Sequence, residues 1–375
     1  MHPQPRCAGS MTTRRHFLRS LAAGVSIPAM PGCDSGSSLY EQTVRRTWSG
    51  ENLVRAPPRD AIRSIVHNAT LAASSHNTQP WKFKTQRSTI TILPDLARRC
   101  PVVDPDDHHL FASLGCAWEN LDIAARALGF QPSSTFDDSA GGSVRVELAS
   151  GLAVESPLSG AIPRRQSSRA QYDGQPVSPS QLRVLEASGI GAGTGVMLLT
   201  QKAQLERVLD YVVAGNTAQL ENPAFVRELK NWIRFDDSDA LRTRDGLSAR
   251  ASGNPSTPHW FGSMLLNVLL TARSENEKYR KHIRSSAGIA VFYSETNDKA
   301  HWIEAGRACE RFCLQAAALD LRTAFINQPV EGVPLRAQFA SYLGIGQRRP
   351  DLIVRFGHGP TMPRSLRRPI DDVII

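Results

Sequence analysis

Two stretches decide how this chain is read: S-L-G-C-A-W-E-N-L-D-I-A-A-R-A-L-G-F, residues 113–130, and E-A-G-R-A-C-E-R-F-C-L-Q-A-A-A-L-D-L, residues 304–321. Gly115 aligns with Gly306, Ala117 with Ala308, Glu119 with Glu310, Ala125 with Ala316, Ala127 with Ala318 and Leu128 with Leu319, all at one offset of 191. Glycine and alanine spaced along a helix let two backbones approach closely, as expected of helices packed centrally against each other. A second pair points the same way. R-R-T-W-S, residues 45–49, precedes a helical pattern at 60–73, and R-R-Q-S-S-R, residues 164–169, precedes one at 178–188. The chain therefore reads as two copies of one α+β unit, residues 45–155 and 156–375.

Strand-like runs fill each copy. W-K-F-K-T, T-I-T-I-L and V-R-V-E-L lie in the first; V-M-L-L-T, G-I-A-V-F-Y and D-L-I-V-R-F lie in the second. They are short, rich in β-branched residues and bounded by Gly, Pro or Asp. The second copy also carries an insertion, residues 214–285, with helical patterns at 220–233 and 261–270 around the loop S-A-R-A-S-G-N-P-S-T-P. Such an insertion reads either as a lid over a site or as an arm that covers apolar surface.

At 375 residues, with 41% apolar and 21% charged side chains, the chain can bury a sizeable core. Its net charge is +9, and four arginines without an acid in the first 33 residues carry part of it. The remaining excess is mild, so no nucleic-acid partner is expected. Arg14-Arg15, Phe17-Leu18 and a short apolar run follow the order of a twin-arginine export signal, with Met11 as initiator. Export machinery is then a partner, and the expected location is the periplasm or the outer face of the cytoplasmic membrane. Cys33 is either a lipid anchor or near an ordinary cleavage, and residues 33–39 read as a flexible tether, part of a linker at 34–44. Cys100, Cys116, Cys309 and Cys313 lack zinc spacing; Cys309 and Cys313, four apart on a helix, read as core. D-P-D-D-H-H, residues 104–109, reads as a solvated first turn of a central helix rather than a metal site.

Four segments in order resemble the FMN-dependent nitroreductases. S-S-H-N-T-Q-P-W-K-F, residues 74–83, resembles their P-S-S-x-N-x-Q-P-W-x-F loop; R-Q-S-S-R, residues 165–169, their R-x-S-x-R phosphate segment; P-V-E-G, residues 329–332, their P-x-E-G loop along the flavin; and the G-x-A-x-E helix their interface helix. The tandem arrangement and the C-terminal R-S-L-R-R-P-I-D-D-V-I resemble the Acg-type branch. In the family, two subunits build each flavin site. Here the S-S-H-N loop survives only in copy one, and R-x-S-x-R with P-x-E-G only in copy two, so the resemblance implies one complete FMN site between the copies and a monomeric pseudo-dimer.

The resemblance implies that Arg165, Ser167 and Arg169 hold the phosphate, with Arg367 or Arg368 adding a contact. Arginines suit a phosphate through bidentate, charge-assisted hydrogen bonds. Ser74, Ser75, Asn77 and Gln79 would face the ribityl chain and ring, and Asn77 and Gln79 can donate and accept at once. Pro329, Glu331 and Gly332 would lie along the flavin near its N5; for Glu331 a structural role and an acid role both stand. Trp81 reads as core, and His76 is given no role. The implied function is an exported FMN oxidoreductase passing two electrons to a nitroaromatic or quinone, with donor and substrate unassigned. A protein that only sequesters FMN and an oxygen-dependent enzyme that modifies flavin are the rival readings.

Overall fold

The computed structural model describes residues 34–49, 58–139 and 141–375. The twin-arginine segment and Cys33 lie outside the described residues. Among the described residues no helix is long and apolar enough to cross a membrane.

The first four strands are β1 (Trp81–Gln86), β2 (Thr89–Pro94), β3 (Phe130–Asp137) and β4 (Ser143–Ser150), and they form an antiparallel sheet in the order β1-β2-β4-β3. Next come β5 (Thr194–Leu199), the parallel two-residue pair β6 (Ile233–Arg234) and β7 (Leu247–Ser248), then β8 (Gly288–Ser294), β9 (Arg322–Phe325) and β10 (Arg349–Gly357). The second large sheet runs β5-β8-β10-β9, again antiparallel. With β6 and β7 set aside as part of the insertion, its strand order repeats that of the first. The α+β class and the six strands read from sequence are therefore present.

The first central helix, His108–Ala127, packs along the second, Lys299–Ala318. A Cβ added at Gly115 would lie 1.9 Å from the Ile303 carbonyl oxygen, and one at Gly306 would lie 2.0 Å from that of Ala112. Ala112 and Ile303 are themselves one repeat apart. The two contacts are thus reciprocal, as a two-fold relation between the halves requires, and hydrogen is the only side chain either position accepts.

Burial explains the different look of the two sheets. In β1, Trp81 and Phe83 are buried while Lys84 is exposed, the alternation of a sheet with one wet face. All nine residues of β10 are buried. Its sheet packs on the second central helix through Phe292, Phe312 and Phe356, and on helices Lys202–Leu220 and Ala272–Arg284 through Ile289, Val291 and Ile353. The C-terminal tail then crosses back to the first unit. Phe83 N–H donates to Val373 O and Ile375 N–H to Phe83 O, so the tail extends the edge of the first sheet.

Two local expectations are corrected here. Residues 34–44 are not a flexible tether but part of helix Asp34–Trp48. Tyr40, Val44 and Trp48 recur every four residues; Tyr40 is completely and Trp48 largely buried, with Val44 partly buried between them, which gives the segment an apolar seam. Residues 104–109 are not a solvated turn: Asp104, His108 and His109 are all buried. The four described cysteines are free and buried, and Cys309 and Cys313 sit in the second core as expected.

Candidate functional site

The S-S-H-N-T-Q-P-W loop leaves helix Pro58–Thr70 and enters β1. It holds three non-glycine residues in the left-handed region: His76 (φ 47°), Asn77 (φ 53°) and Gln79 (φ 53°). Each such residue costs on the order of 1–3 kcal/mol and persists only where its surroundings over-determine it. They do. The Asn77 side-chain amide donates to Gly246 O (3.0 Å) and Leu366 O (3.3 Å), and its oxygen accepts from Arg367 Nη1 (2.9 Å). Gln79 donates to Arg244 O (2.9 Å) and accepts from Arg368 N–H (2.8 Å). Ser74 Oγ accepts from Gln79 N–H, and Ser75 N–H donates to Ser113 Oγ.

These contacts revise the roles expected of several residues. The Asn77 and Gln79 side chains hold the loop's shape instead of presenting free donors. Arg367 spends all its donors on the loop and tail, including the carbonyls of Thr70, Leu71 and Ala72. Burial, with Arg165 nearby, lowers its pKa to about 9. Arg368 is likewise occupied by Gln79 O, Asp95 and Asp372 O. Both are clamps within the protein, not open phosphate ligands.

The R-Q-S-S-R segment meets the same loop. Arg165 is buried, pairs with Glu310 Oε1 (2.9 Å) and donates to Leu71 O (2.9 Å). Glu310 in turn accepts the Ala73 N–H (3.3 Å). Two residues of copy two therefore grip the stem of the copy-one loop, so the expected convergence is present although Arg165 acts structurally. Its backbone neighbourhood is fixed by Ser168 N–H donating to Thr323 O and by a bridge between Ser167 and Thr323.

Two features adjoin this seam. One is a cavity of about 130 Å³ whose lining includes Arg164, Arg165, Arg322, Thr323, Thr361 and Arg364. Arg322 Nε is buried in the structure without a hydrogen-bond partner. The other is a polar cluster of Arg169, His76, Tyr279, Gln328 and Glu331. Arg169 is exposed and its guanidinium has no ion-pair or hydrogen-bond partner among the described residues. Desolvation by the surrounding protein nevertheless lowers its pKa. His76 Nδ1 is buried without a partner, and burial followed by the nearby Arg169 pulls its pKa down to about 4, against the Glu331 charge. Burial pushes Tyr279 up to about 12, and its hydroxyl accepts from Gln328.

The insertion roofs this cluster. Its Arg244 and Gly246 carbonyls bind Gln79 and Asn77, Gln219 donates to Glu331, and Tyr279 meets Gln328. Pro329 is buried, whereas Gly332 is exposed and a Cβ there would meet nothing. A larger cavity, about 560 Å³, opens between Arg99–Val102 and helix Pro223–Trp232. None of the loop or segment residues above lines it, so the seam and not the larger hollow is the candidate site.

Behind Glu331 lies a buried polar row that sequence reasoning placed in solvent. Asp104 accepts the N–H groups of His109 and Leu110, capping the first central helix. His108 Nε2 lies 2.9 Å from Asp351 Oδ1, and its Nδ1 lies 2.7 Å from Nδ1 of His109. His109 Nε2 faces Glu331 Oε1 at 3.5 Å. Asp104, His108 and His109 have ligand-type atoms within 4.8 Å of one another, but the carboxylate is spent on the helix cap and His108 on its two partners. Glu331 feels burial first, which raises its pKa, but the His109 hydrogen bond and charge outweigh it and leave the carboxyl below its ordinary value. The missed residues are His76, His109, Tyr279, Arg322 and Arg364. Only His76 gave a local signal, its place inside the loop.

No family model matches the chain. It is 27% identical over 332 residues, 85% of this chain and 92% of the relative, to "Putative NAD(P)H nitroreductase Rv3131" of Mycobacterium tuberculosis. It is 22% identical over 329 residues, covering 84% and 95%, to "Putative NAD(P)H nitroreductase acg" of the same species. Among solved structures, the FMN-dependent nitroreductase NfnB of Mycobacterium smegmatis, in complex with NADPH, matches 58% of this chain and 96% of its own at 14% identity and a TM-score of 0.37. Both relatives are named as putative NAD(P)H nitroreductases, and the likeness to each spans more than four fifths of this chain.

Proposed function

We propose that this chain is an FMN-binding oxidoreductase of nitroreductase type, with one flavin site per chain at the seam of a monomeric pseudo-dimer, and that it is exported through its Arg14-Arg15 segment. One observation carries the reading. Arg165 and Glu310 of copy two hold Leu71 and Ala73 of copy one, so the two halves of the motif set meet. The residues present fit FMN. The cavity, with an unpartnered Arg322 Nε, suits a phosphate dianion; Arg364, tied to the Arg164 and Arg165 carbonyls, adds positive charge to the wall, and Asp320, paired with Arg322, lines it too. The roofed cluster offers the Arg169 cation and unpaired His76 Nδ1 to the polar edge of a ring. Bound FMN supplies reversible two-electron chemistry. The chain's own part is to grip the anion, orient the ring through Arg169 and Glu331, and exclude water with the insertion.

The roof also favours a second reading, sequestration of FMN without turnover, because Gln219 and Tyr279 tie the insertion to the P-V-E-G loop. One experiment separates the two. The purified full chain is loaded with FMN, then NADPH or dithionite is added under nitrogen, followed by a quinone or nitroaromatic. Bleaching by NADPH and reoxidation by the acceptor supports the reductase. Bleaching by dithionite alone supports sequestration, and a chain that takes up no FMN refutes both.

A further inference from the structure

Resting on the oxidoreductase reading, we propose that Asp351, His108, His109 and Glu331 form a one-proton relay that serves the roofed cluster. Three contacts connect them in series: 2.9 Å from Asp351 Oδ1 to His108 Nε2, 2.7 Å between the two Nδ1 atoms, and 3.5 Å from His109 Nε2 to Glu331 Oε1. In one register Asp351 is a carboxylic acid donating to His108 Nε2, His108 Nδ1–H donates to His109, and His109 Nε2–H points at the Glu331 carboxylate. If each proton crosses its own contact, the second register has an Asp351 carboxylate, both rings neutral in the other tautomer, and a protonated Glu331. One proton has moved from the buried end to the Glu331 end, and no imidazole is charged at either end of the transfer.

The surroundings favour the first register: Glu331 is held below its ordinary pKa by His109, so the proton moves to it uphill and is drawn there by the acceptor. Asp351 is completely buried, and desolvation raises its pKa to about 7, opposed by Ser294 and Arg349. Arg349 Nε stands 3.3 Å from it, close enough to steady the carboxylate of the second register. Arg336, set by Gly332, faces the same group, and Asp104 lies beside His109 at 3.9 Å. At the other end Gln219 orients Glu331, and His76 lies beside it, with Arg169 near His76. The chemistry this supplies is specific. A quinone-type acceptor gains two electrons and one proton as hydride and needs one more proton on its second oxygen. The relay first carries the Asp351 proton to Glu331, Glu331 gives it to that oxygen and both carboxyls are left ionised, and a solvent proton taken up at Glu331 restores Asp351 by the reverse hops. An acceptor that takes electrons alone does not draw on the relay.

The test has two arms on the full chain. Nitrogen-15 NMR of labelled histidine, without added flavin, should show His108 and His109 changing tautomer together at one midpoint. Asp351→Asn should remove that step at both rings. With flavin loaded, Asp351→Asn should slow reoxidation by a quinone about 100-fold or more and leave reoxidation by ferricyanide unchanged. Independent titration of the two rings, or equal slowing with both oxidants, overturns the relay. Failure to bind FMN would refute the oxidoreductase reading alone, since the first arm needs no flavin.

Discussion

Arg165 and Arg169 stand two positions from their shared serine and look interchangeable in sequence, yet they should fail in opposite ways. Arg165 is 3% and Glu310 0% exposed, so Arg165→Ala strands a buried carboxylate. Breaking such a pair by removing one partner costs about 3–5 kcal/mol. The Leu71 carbonyl loses a donor as well. Burial already raises the Glu310 pKa, opposed chiefly by Arg165, and losing that arginine raises it further. A carboxyl whose folded pKa lies above its unfolded value loses stability as pH rises through that window. The deficit of Arg165→Ala should therefore be larger at pH 8 than at pH 5. Adding Glu310→Gln should recover part of it. Arg169 is exposed and its guanidinium has no partner among the described residues; Arg169→Ala should change stability by less than about 0.5 kcal/mol. It should instead weaken FMN binding by about 1.5–3 kcal/mol, roughly 10- to 150-fold. Urea unfolding of the flavin-free chain at both pH values, with a parallel flavin titration, measures each quantity. A wild-type unfolding midpoint for Arg165→Ala, or equal destabilisation by the two substitutions, refutes the assignment.

Other consequences follow from the same geometry. Gly115→Ala, which drives a methyl into the Ile303 carbonyl, should cost more than about 3 kcal/mol in thermal unfolding, whereas Gly332→Ala, facing open space at φ −96°, should cost less than about 0.5 kcal/mol. His76 stays neutral in the fold down to about pH 4, so stability should fall as pH drops from 6.5 towards 4; His76→Gln should remove about 2–3 kcal/mol of that acid sensitivity in denaturation at stepped pH.

Most of the scaffold was legible because its signals are local. Alternating residues gave β1 and β2, and the offset of 191 gave the central helices whose glycines interlock. β3 was missed because Pro132 interrupts a weakly apolar run; it sits on a sheet edge, where a missing N–H is tolerated. The site was less legible. Asn77 and Gln79 have the donors and acceptors that a flavin edge needs, but the insertion and the C-terminal tail consume them, and those partners are more than 160 residues away in sequence. His108 and His109 look like a wet helix start because their neighbours in sequence are acidic. Their true partners, Asp351 and Glu331, arrive from more than 200 residues away.

Titration of the full chain with FMN, followed by quenching of flavin fluorescence, tests the central claim most directly. One FMN per chain is predicted, lost on Arg322→Ala with Arg364→Ala and kept on Arg45→Ala with Arg46→Ala. Two flavins per chain, or binding indifferent to Arg322 and Arg364, would contradict a single site shared across the seam.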